Sequence, residues 1–212
     1  MENKRGKLIS FEGGERAGKT EQSKVLEGRL ADAGLEVVRL REPGGTVISE
    51  QIREVVLSAK NQKLTDRTEV LLFQAARAQI YGEVVLPALS AGKVVLMDRT
   101  RDSSVVYQGM VRNMGVELIE KLNDISTQGT VPDLTILLDV SPEVGLKRRT
   151  EVSELDRIEM LNHGFHQKVR EAYLELAKED KDGRWVAVDA EAEFDQVSAE
   201  IWRIVSGKLE LT

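Results

Sequence analysis

The run Gly13-Gly14-Glu15-Arg16-Ala17-Gly18-Lys19-Thr20 fits G-x-x-x-x-G-K-[ST], the pattern of a loop that wraps phosphate groups. Gly13 and Gly18 let the backbone curl so that its N–H groups point inward, and a helix starting at Lys19 adds its positive dipole end. Lys19 supplies a mobile positive charge for the outer phosphates, and the Thr20 hydroxyl is placed to ligate Mg2+. A second constellation, Asp98-Arg99, ends an apolar run. A carboxylate there can hold Mg2+ or its water shell, and a neighbouring guanidinium can meet phosphate oxygens. Asp is also a good helix N-cap, which is the competing reading of Asp98.

The arginines form the third signal. Arg16, Arg41, Arg53, Arg77, Arg99, Arg148, Arg149 and Arg157 fall near expected strand ends or on helices that could close over them, while Arg29 and Arg203 read as exposed helix-face charges. A planar, forked guanidinium suits bidentate phosphate contacts. Phosphoryl transfer between two anionic substrates needs such an excess, because donor and acceptor repel each other and charge develops on the equatorial oxygens. No Asn-Lys-x-Asp guanine-reading motif and no His-Arg-Asp catalytic loop occurs, which argues against a GTPase switch and a protein kinase.

These groups must be carried by a scaffold, and the hydrophobic pattern supplies one. Short apolar runs at residues 7–11, 36–40, 93–98, 134–139 and 185–189 read as strands. Helical patterns cover residues 19–33, 47–57, 66–90, 103–108, 116–127, 144–149, 156–180 and 194–209. Pro87 should kink or end the third of these, and residues 150–155 read as a loop. Buried strands alternating with helices predict an α/β fold of the P-loop NTPase type: three layers, with a five-stranded parallel sheet and helices on both faces. Ligands in such sheets bind beyond the carboxyl ends of the strands, where the polar clusters lie.

The 212 residues suit one domain with a short lid around residues 148–157, and 41% hydrophobic residues suffice for a core. A net charge of −6 argues against general affinity for nucleic acid or an anionic membrane. The lack of cysteine excludes disulfides and thiolate metal sites. No apolar run approaches membrane-spanning length, and no apolar signal core follows the charged N-terminus, so a cytoplasmic location is expected.

From residues 7 to 205 the chain resembles the thymidylate kinases (dTMP kinases). Five ordered motifs carry the resemblance: Phe11-Glu12-Gly13 through Thr20 with Gln22; Arg41-Glu42-Pro43-Gly44-Gly45-Thr46; residues 71–79 around Phe73 and Arg77; Asp98-Arg99 with Asp102-Ser103-Ser104 and Tyr107-Gln108-Gly109; and Asp156-Arg157-Ile158-Glu159. The resemblance implies transfer of a phosphoryl group from MgATP to dTMP by a homodimer. It implies that Phe73 stacks on thymine, that Arg77 donates to its carbonyl side, and that Ser104 and Gln108 read its N3 edge. It further implies that Arg41, Arg53 and Arg99 hold the dTMP phosphate, that Glu15 holds the sugar 3′-hydroxyl or a nearby water, that Tyr107 lies close to the sugar, and that Pro43 follows a cis peptide bond. Spacing alone would instead make Phe73 a core residue and Ser103-Ser104 a helix cap.

Three departures from the family pattern stand out. Thr100 replaces the aromatic or His that usually follows Asp98-Arg99, which is expected to loosen packing near the phosphate site. Glu21 replaces a Ser or Thr on the first helical turn, where a carboxylate suits the dipole. Residues 150–154 contain no Arg and two acids, whereas Arg16 stands inside the phosphate loop. The expectation is therefore that Arg16 supplies the transition-state charge that a lid arginine supplies elsewhere in the family. Two alternatives remain at this level: a kinase for another monophosphate such as dUMP, and an ATP-binding regulatory protein without turnover.

Overall fold

The computed structural model describes residues 5–148 and 155–211. Five strands, β1 (Leu8–Glu12), β2 (Val37–Arg41), β3 (Val94–Asp98), β4 (Leu134–Asp139) and β5 (Trp185–Asp189), pair all-parallel in the order β2-β3-β1-β4-β5. Helices α1 (Lys19–Asp32), α2 (Val47–Leu57), α3 (Asp66–Ile80), α4 (Leu86–Ser90), α5 (Arg101–Ser104), α6 (Val116–Thr127), α7 (Pro142–Lys147), α8 (His163–Glu179) and α9 (Phe194–Lys208) connect them. The expected parallel α/β architecture is therefore present.

Side chains alternate across a strand, so each strand serves both faces of the sheet. Ile9, Phe11, Leu96, Ile136 and Leu138 pack with Leu26 and Leu30 of α1 and with Val197, Ile201 and Val205 of α9. On the other face, Leu8, Val95 and Met97 meet Ile80, Tyr81, Val85 and Leu89. Farther along that face, Leu137 and Trp185 meet Val106, Val169 and Tyr173. Truncating one such core leucine or isoleucine to Ala costs about 2–5 kcal/mol. The strand ends are thus a stiff platform. Phe11 pairs with Asp98 in register, and Arg99 N–H donates to Phe11 C=O at 2.9 Å. That register sets the loop after β1 beside the Asp98-Arg99 turn.

Three helix expectations need correction. The helix expected over residues 156–180 begins only at His163. Asp156 Oδ1 accepts from the N–H groups of Ile158 and Glu159, which closes a turn, and Asn162 then caps α8 by accepting from Phe165 N–H at 2.9 Å. Short polar side chains captured these backbone donors before a helix could. The stretch at residues 66–90 does not end at Pro87. It passes through a π-helical turn at Tyr81–Val85, where Leu86 N–H bonds to Tyr81 C=O, and resumes with Pro87 in the first turn of α4. The widened turn relieves the clash a proline makes one turn back. Finally, the helix expected at 103–108 is α5 followed by a second π-helical segment, Val105–Val111. Most of the expected lid, residues 149–154, lies outside the described residues.

Candidate active site

The loop from Gly13 to Gly18 leaves β1 and enters α1 with Gly13 at φ 138°, Arg16 at φ 59° and Gly18 at φ 92°. A Cβ on Gly13 would lie 2.4 Å from Leu138 C=O, so only glycine fits there. Lys19 Nζ donates to the carbonyls of Gly13 (3.2 Å) and Gly14 (2.7 Å), which holds the ammonium in the mouth of the loop. Burial and the nearby Arg99 charge bring Lys19 down to about 8. An anion placed there regains the full charge of the ammonium.

Thr20 Oγ1 donates to Asp98 Oδ2 at 2.5 Å. The hydroxyl and the carboxylate expected to hold Mg2+ thus converge on one point. Asp98 does not cap α5, whose N-cap is Thr100. Hard oxygen donors of this kind fit Mg2+, which typically takes one or two protein ligands and completes its octahedron with water and substrate phosphates. Among the described residues no cluster of three or more acidic, His or Cys side chains forms a self-sufficient metal cage.

From this point a cavity of about 400 Å³ extends across the sheet ends. It is lined by Glu15 to Thr20 on one side, by Arg41, Pro43, Arg53, Asp98 and Arg99 in the middle, and by Phe73, Arg77, Ser104, Tyr107 and Gln108 at the far side. The residues expected for the phosphate loop, the metal and the acceptor are all there except Gly13 and Gly14, which form the loop behind it. The volume lies in the range of small-molecule sites.

The middle of the cavity is cationic. Arg41 and Arg53 both donate to Pro43 C=O, at 2.9 and 2.8 Å, and the Glu42–Pro43 peptide is cis, as the resemblance implies. Burial and the charge of Arg41 lower Arg53. Arg99 donates to Glu15 Oε1 (2.7 Å), Gly13 C=O (3.0 Å) and Tyr173 Oη (3.2 Å). Tyr107 Oη also donates to Glu15 Oε1, at 2.9 Å. Burial pushes Glu15 up, but Arg99, Lys19 and Tyr107 outweigh it and hold the carboxyl at about 2. Arg16 donates to Glu159 Oε1 at 3.1 Å, which ties the loop to the turn that Asp156 closes. Arg148 lines the cavity and donates to Ala190 C=O, whereas Arg157 does not reach it: buried, it donates to Glu69 and to Val56 C=O. Arg149 lies outside the described residues.

The far side is polar and locked. Phe73 is half-buried and lines the cavity instead of joining the core. Arg77 is only 2% exposed and donates from Nε to Glu42 (2.7 Å), from Nη1 to Ser104 (3.0 Å) and Asn123 (2.9 Å), and from Nη2 to Thr100 C=O (3.0 Å). Four of its five N–H donors are thereby taken by protein. Ser103 and Ser104 do not act as helix caps; Ser103 donates to Glu12 and Ser104 accepts from Arg77. Thr100 does not loosen its surroundings either. It is fully buried, and its hydroxyl bonds the hydroxyl of Tyr81, a residue of the first π-helical turn, at 2.7 Å.

Sequence reasoning missed the residues behind the wall. Glu12, fully buried at the end of β1, accepts from Thr100 N–H (2.9 Å), Ser103 Oγ (2.6 Å) and Tyr173 Oη (2.7 Å). Burial and the Asp102 charge push it up to about 7, against the opposing pull of Arg99 and the two hydroxyls. Glu42, also buried, is pushed up by burial against the pull of Arg77. The signal available for Glu12 was a lone carboxylate ending an apolar strand. For Tyr173 there was none.

Comparison with known proteins agrees with this geometry. The family model described as thymidylate kinase matches residues 11–201. A thymidylate kinase of Thermoanaerobacter sp. (strain X514) is 45% identical over 201 residues, covering 95% of this chain and 98% of the relative. One from Halalkalibacterium halodurans is 46% identical over 209 residues, covering 98% and 99%. The crystal structure of thymidylate kinase from Ehrlichia chaffeensis superposes with a TM-score of 0.78 at 28% identity, covering 95% of this chain and 99% of that one.

Proposed function

The chain belongs to the thymidylate kinase family, and we propose on that premise that it transfers the γ-phosphoryl group of MgATP to dTMP, giving dTDP and MgADP for dTTP synthesis. It is a phosphotransferase. The observation that carries the reading is one continuous cavity, with Lys19, Thr20 and Asp98 at one end and Phe73, Arg77, Ser104 and Gln108 at the other. Two anions meet between them, among Arg16, Arg41, Arg53 and Arg99.

ATP binds along residues Gly13 to Thr20, with backbone N–H groups and Lys19 on its phosphates. Thr20 and Asp98 would hold Mg2+, which would neutralise phosphate charge during transfer. Phe73 stacks on the thymine ring. Arg77 gives its remaining N–H to the carbonyl side of the base, and Ser104 and Gln108 meet the N3 edge. Arg41, Arg53 and Arg99 hold the dTMP phosphate beside Pro43. Among the described residues, Arg99 and Tyr107 both donate to Oε1 of Glu15, which leaves Oε2 for the sugar 3′-hydroxyl, near Tyr107. The acceptor phosphate is already nucleophilic, so no general base is assigned. Catalysis is positioning plus electrostatic stabilisation, with Arg16 as the cis-acting arginine.

The reading includes one catalytic domain, residues 1–212, with a lid around 148–157 that excludes water over ATP. It also includes a homodimer in the cytoplasm, with no nucleic-acid or membrane partner. The dimer is supported by exposed apolar residues on α2, α3 and α6, which pack side by side: Val47, Ile48, Val55, Leu71, Leu118 and Ile125. Among the described residues no helix is long and apolar enough to cross a membrane. The relatives do not favour a kinase for another monophosphate or a regulatory protein without turnover.

The test is ADP formation from MgATP with dTMP, dUMP, dCMP, dGMP or dAMP, each alone, against a no-acceptor control. Fastest turnover with dTMP is expected. Turnover confined to another monophosphate would overturn the assignments of Phe73, Arg77, Ser104 and Gln108 but leave those of the phosphate loop.

A further inference from the structure

Behind the base end of the cavity stands Glu69, on α3 and fully buried. Gln108 Nε2 donates to Glu69 Oε1 at 2.8 Å. Arg112 grips the same carboxylate with two bonds of 2.8 Å, one to each oxygen, and Arg157 Nη2 donates to Oε2 at 2.5 Å. Two guanidiniums thus fix the carboxylate in place. Arg157 is itself tied to Val56 C=O at 3.0 Å, so it cannot follow Glu69 if the latter moves.

The consequence is chemical. A primary amide can turn over and exchange its donor and acceptor ends at little steric cost. A carboxylate only accepts, so the Gln108 amide nitrogen must face Glu69. Its oxygen is then the end left for the cavity that Gln108 lines, and no described side chain or backbone N–H donates to it. Ser104 is polarised in the opposite sense. Its oxygen accepts from Arg77 Nη1, so its own proton is left to donate. The wall therefore offers a donor at Ser104 and an acceptor at Gln108. Thymine presents a carbonyl oxygen at position 4 and an N–H at N3, which match. Cytosine presents an amino group at position 4 and a lone pair at N3, which clash with both.

We propose that Glu69 is a positioning residue for base selectivity: by fixing the orientation of the Gln108 amide it makes the site accept a pyrimidine that carries a proton on N3 and reject one that carries a lone pair there. This rests on the reading of the cavity as a dTMP site. Glu69 touches no substrate and acts only through Gln108.

Glu69→Gln tests it, because a neutral amide at 69 can accept or donate and releases Gln108 to turn over. The ratio of kcat/KM for dCMP to that for dTMP should rise about ten- to a hundredfold, the worth of one buried hydrogen bond remade instead of lost. The ratio for dUMP to dTMP should stay constant, since uracil and thymine share the same N3 edge. Glu69→Asp keeps the charge against Arg112 and Arg157 but draws the acceptor back by one methylene; it should move the dCMP ratio in the same direction by less, and it serves if Glu69→Gln fails to fold. A general loosening of the site would lower all three acceptors together. An unchanged dCMP ratio in a folded variant of either kind overturns the proposal. A wild-type protein that phosphorylates none of the three pyrimidine nucleotides would instead overturn the functional reading on which it rests.

Discussion

Glu12 makes the stability of this fold depend on pH in a direction opposite to that of ordinary paired carboxylates. In an unfolded chain it titrates near its ordinary 4.5; in the fold, burial and the Asp102 charge bring it to about 7. Between those values the folded protein holds a proton that the unfolded chain has lost. Stability is therefore complete below about pH 4.5 and falls as pH rises through about 7, after which it is flat. The gap between 4.5 and about 7, at ~1.36 kcal/mol per pH unit, amounts to roughly 3 kcal/mol. Glu12→Gln removes the titration while keeping the shape and an acceptor for Thr100 N–H. Urea unfolding of both proteins between about pH 5 and 8 isolates the contribution, because all other groups cancel in the difference. Relative to the variant, wild type should lose roughly 2.5 kcal/mol over that window, the part of the change that lies above pH 5, or about 5–10 °C in Tm at 2–4 °C per kcal/mol for a chain of this size. A stability difference that stays level across the window would show that Glu12 is ionised throughout, and that Arg99, Ser103 and Tyr173 outweigh its burial.

Two further outcomes follow from the same structure. Arg16→Ala should lower kcat by about 10³ while KM for dTMP changes little, because an arginine serving the transition state contributes little to ground-state binding; steady-state ADP release measures this, and a near-normal kcat would remove Arg16 from catalysis. Arg77→Met should destabilise the fold by about 3–5 kcal/mol in urea, since it leaves the buried Glu42 carboxylate without its partner at 2.7 Å; a loss below about 1 kcal/mol would mean that Glu42 is neutral or finds water.

The phosphate loop and the sheet were legible beforehand. The phosphate loop follows from two glycines, a lysine and a threonine placed between a strand and a helix. The parallel sheet follows from five short apolar runs separated by helical periodicity. Strand β5 was expected at residues 185–189 and spans them. Helix starts were harder to see. Asp156 and Asn162 each capture backbone N–H groups, and that choice against helix depends on their rotamers, which periodicity does not encode. Both π-helical turns also escaped, because the extra residue in each is accommodated by packing and leaves the spacing of apolar residues readable as an ordinary helix.

By itself the sequence determined which groups the cavity surface carries: a glycine-rich loop suited to phosphate, oxygens suited to Mg2+, and the arginines, aromatic and amide that line it. Only the tertiary structure decided how those groups are held and which way they point. Glu12 and Tyr173 meet across 161 residues of chain, and Glu69 meets Gln108 across 39. Such contacts arise from sheet register and helix packing, which no local pattern carries. Yet they set the charge of Lys19 and Glu15, the fixed position of Arg77 and the polarity of Gln108, because a group removed from water takes its properties from the few neighbours that replace it.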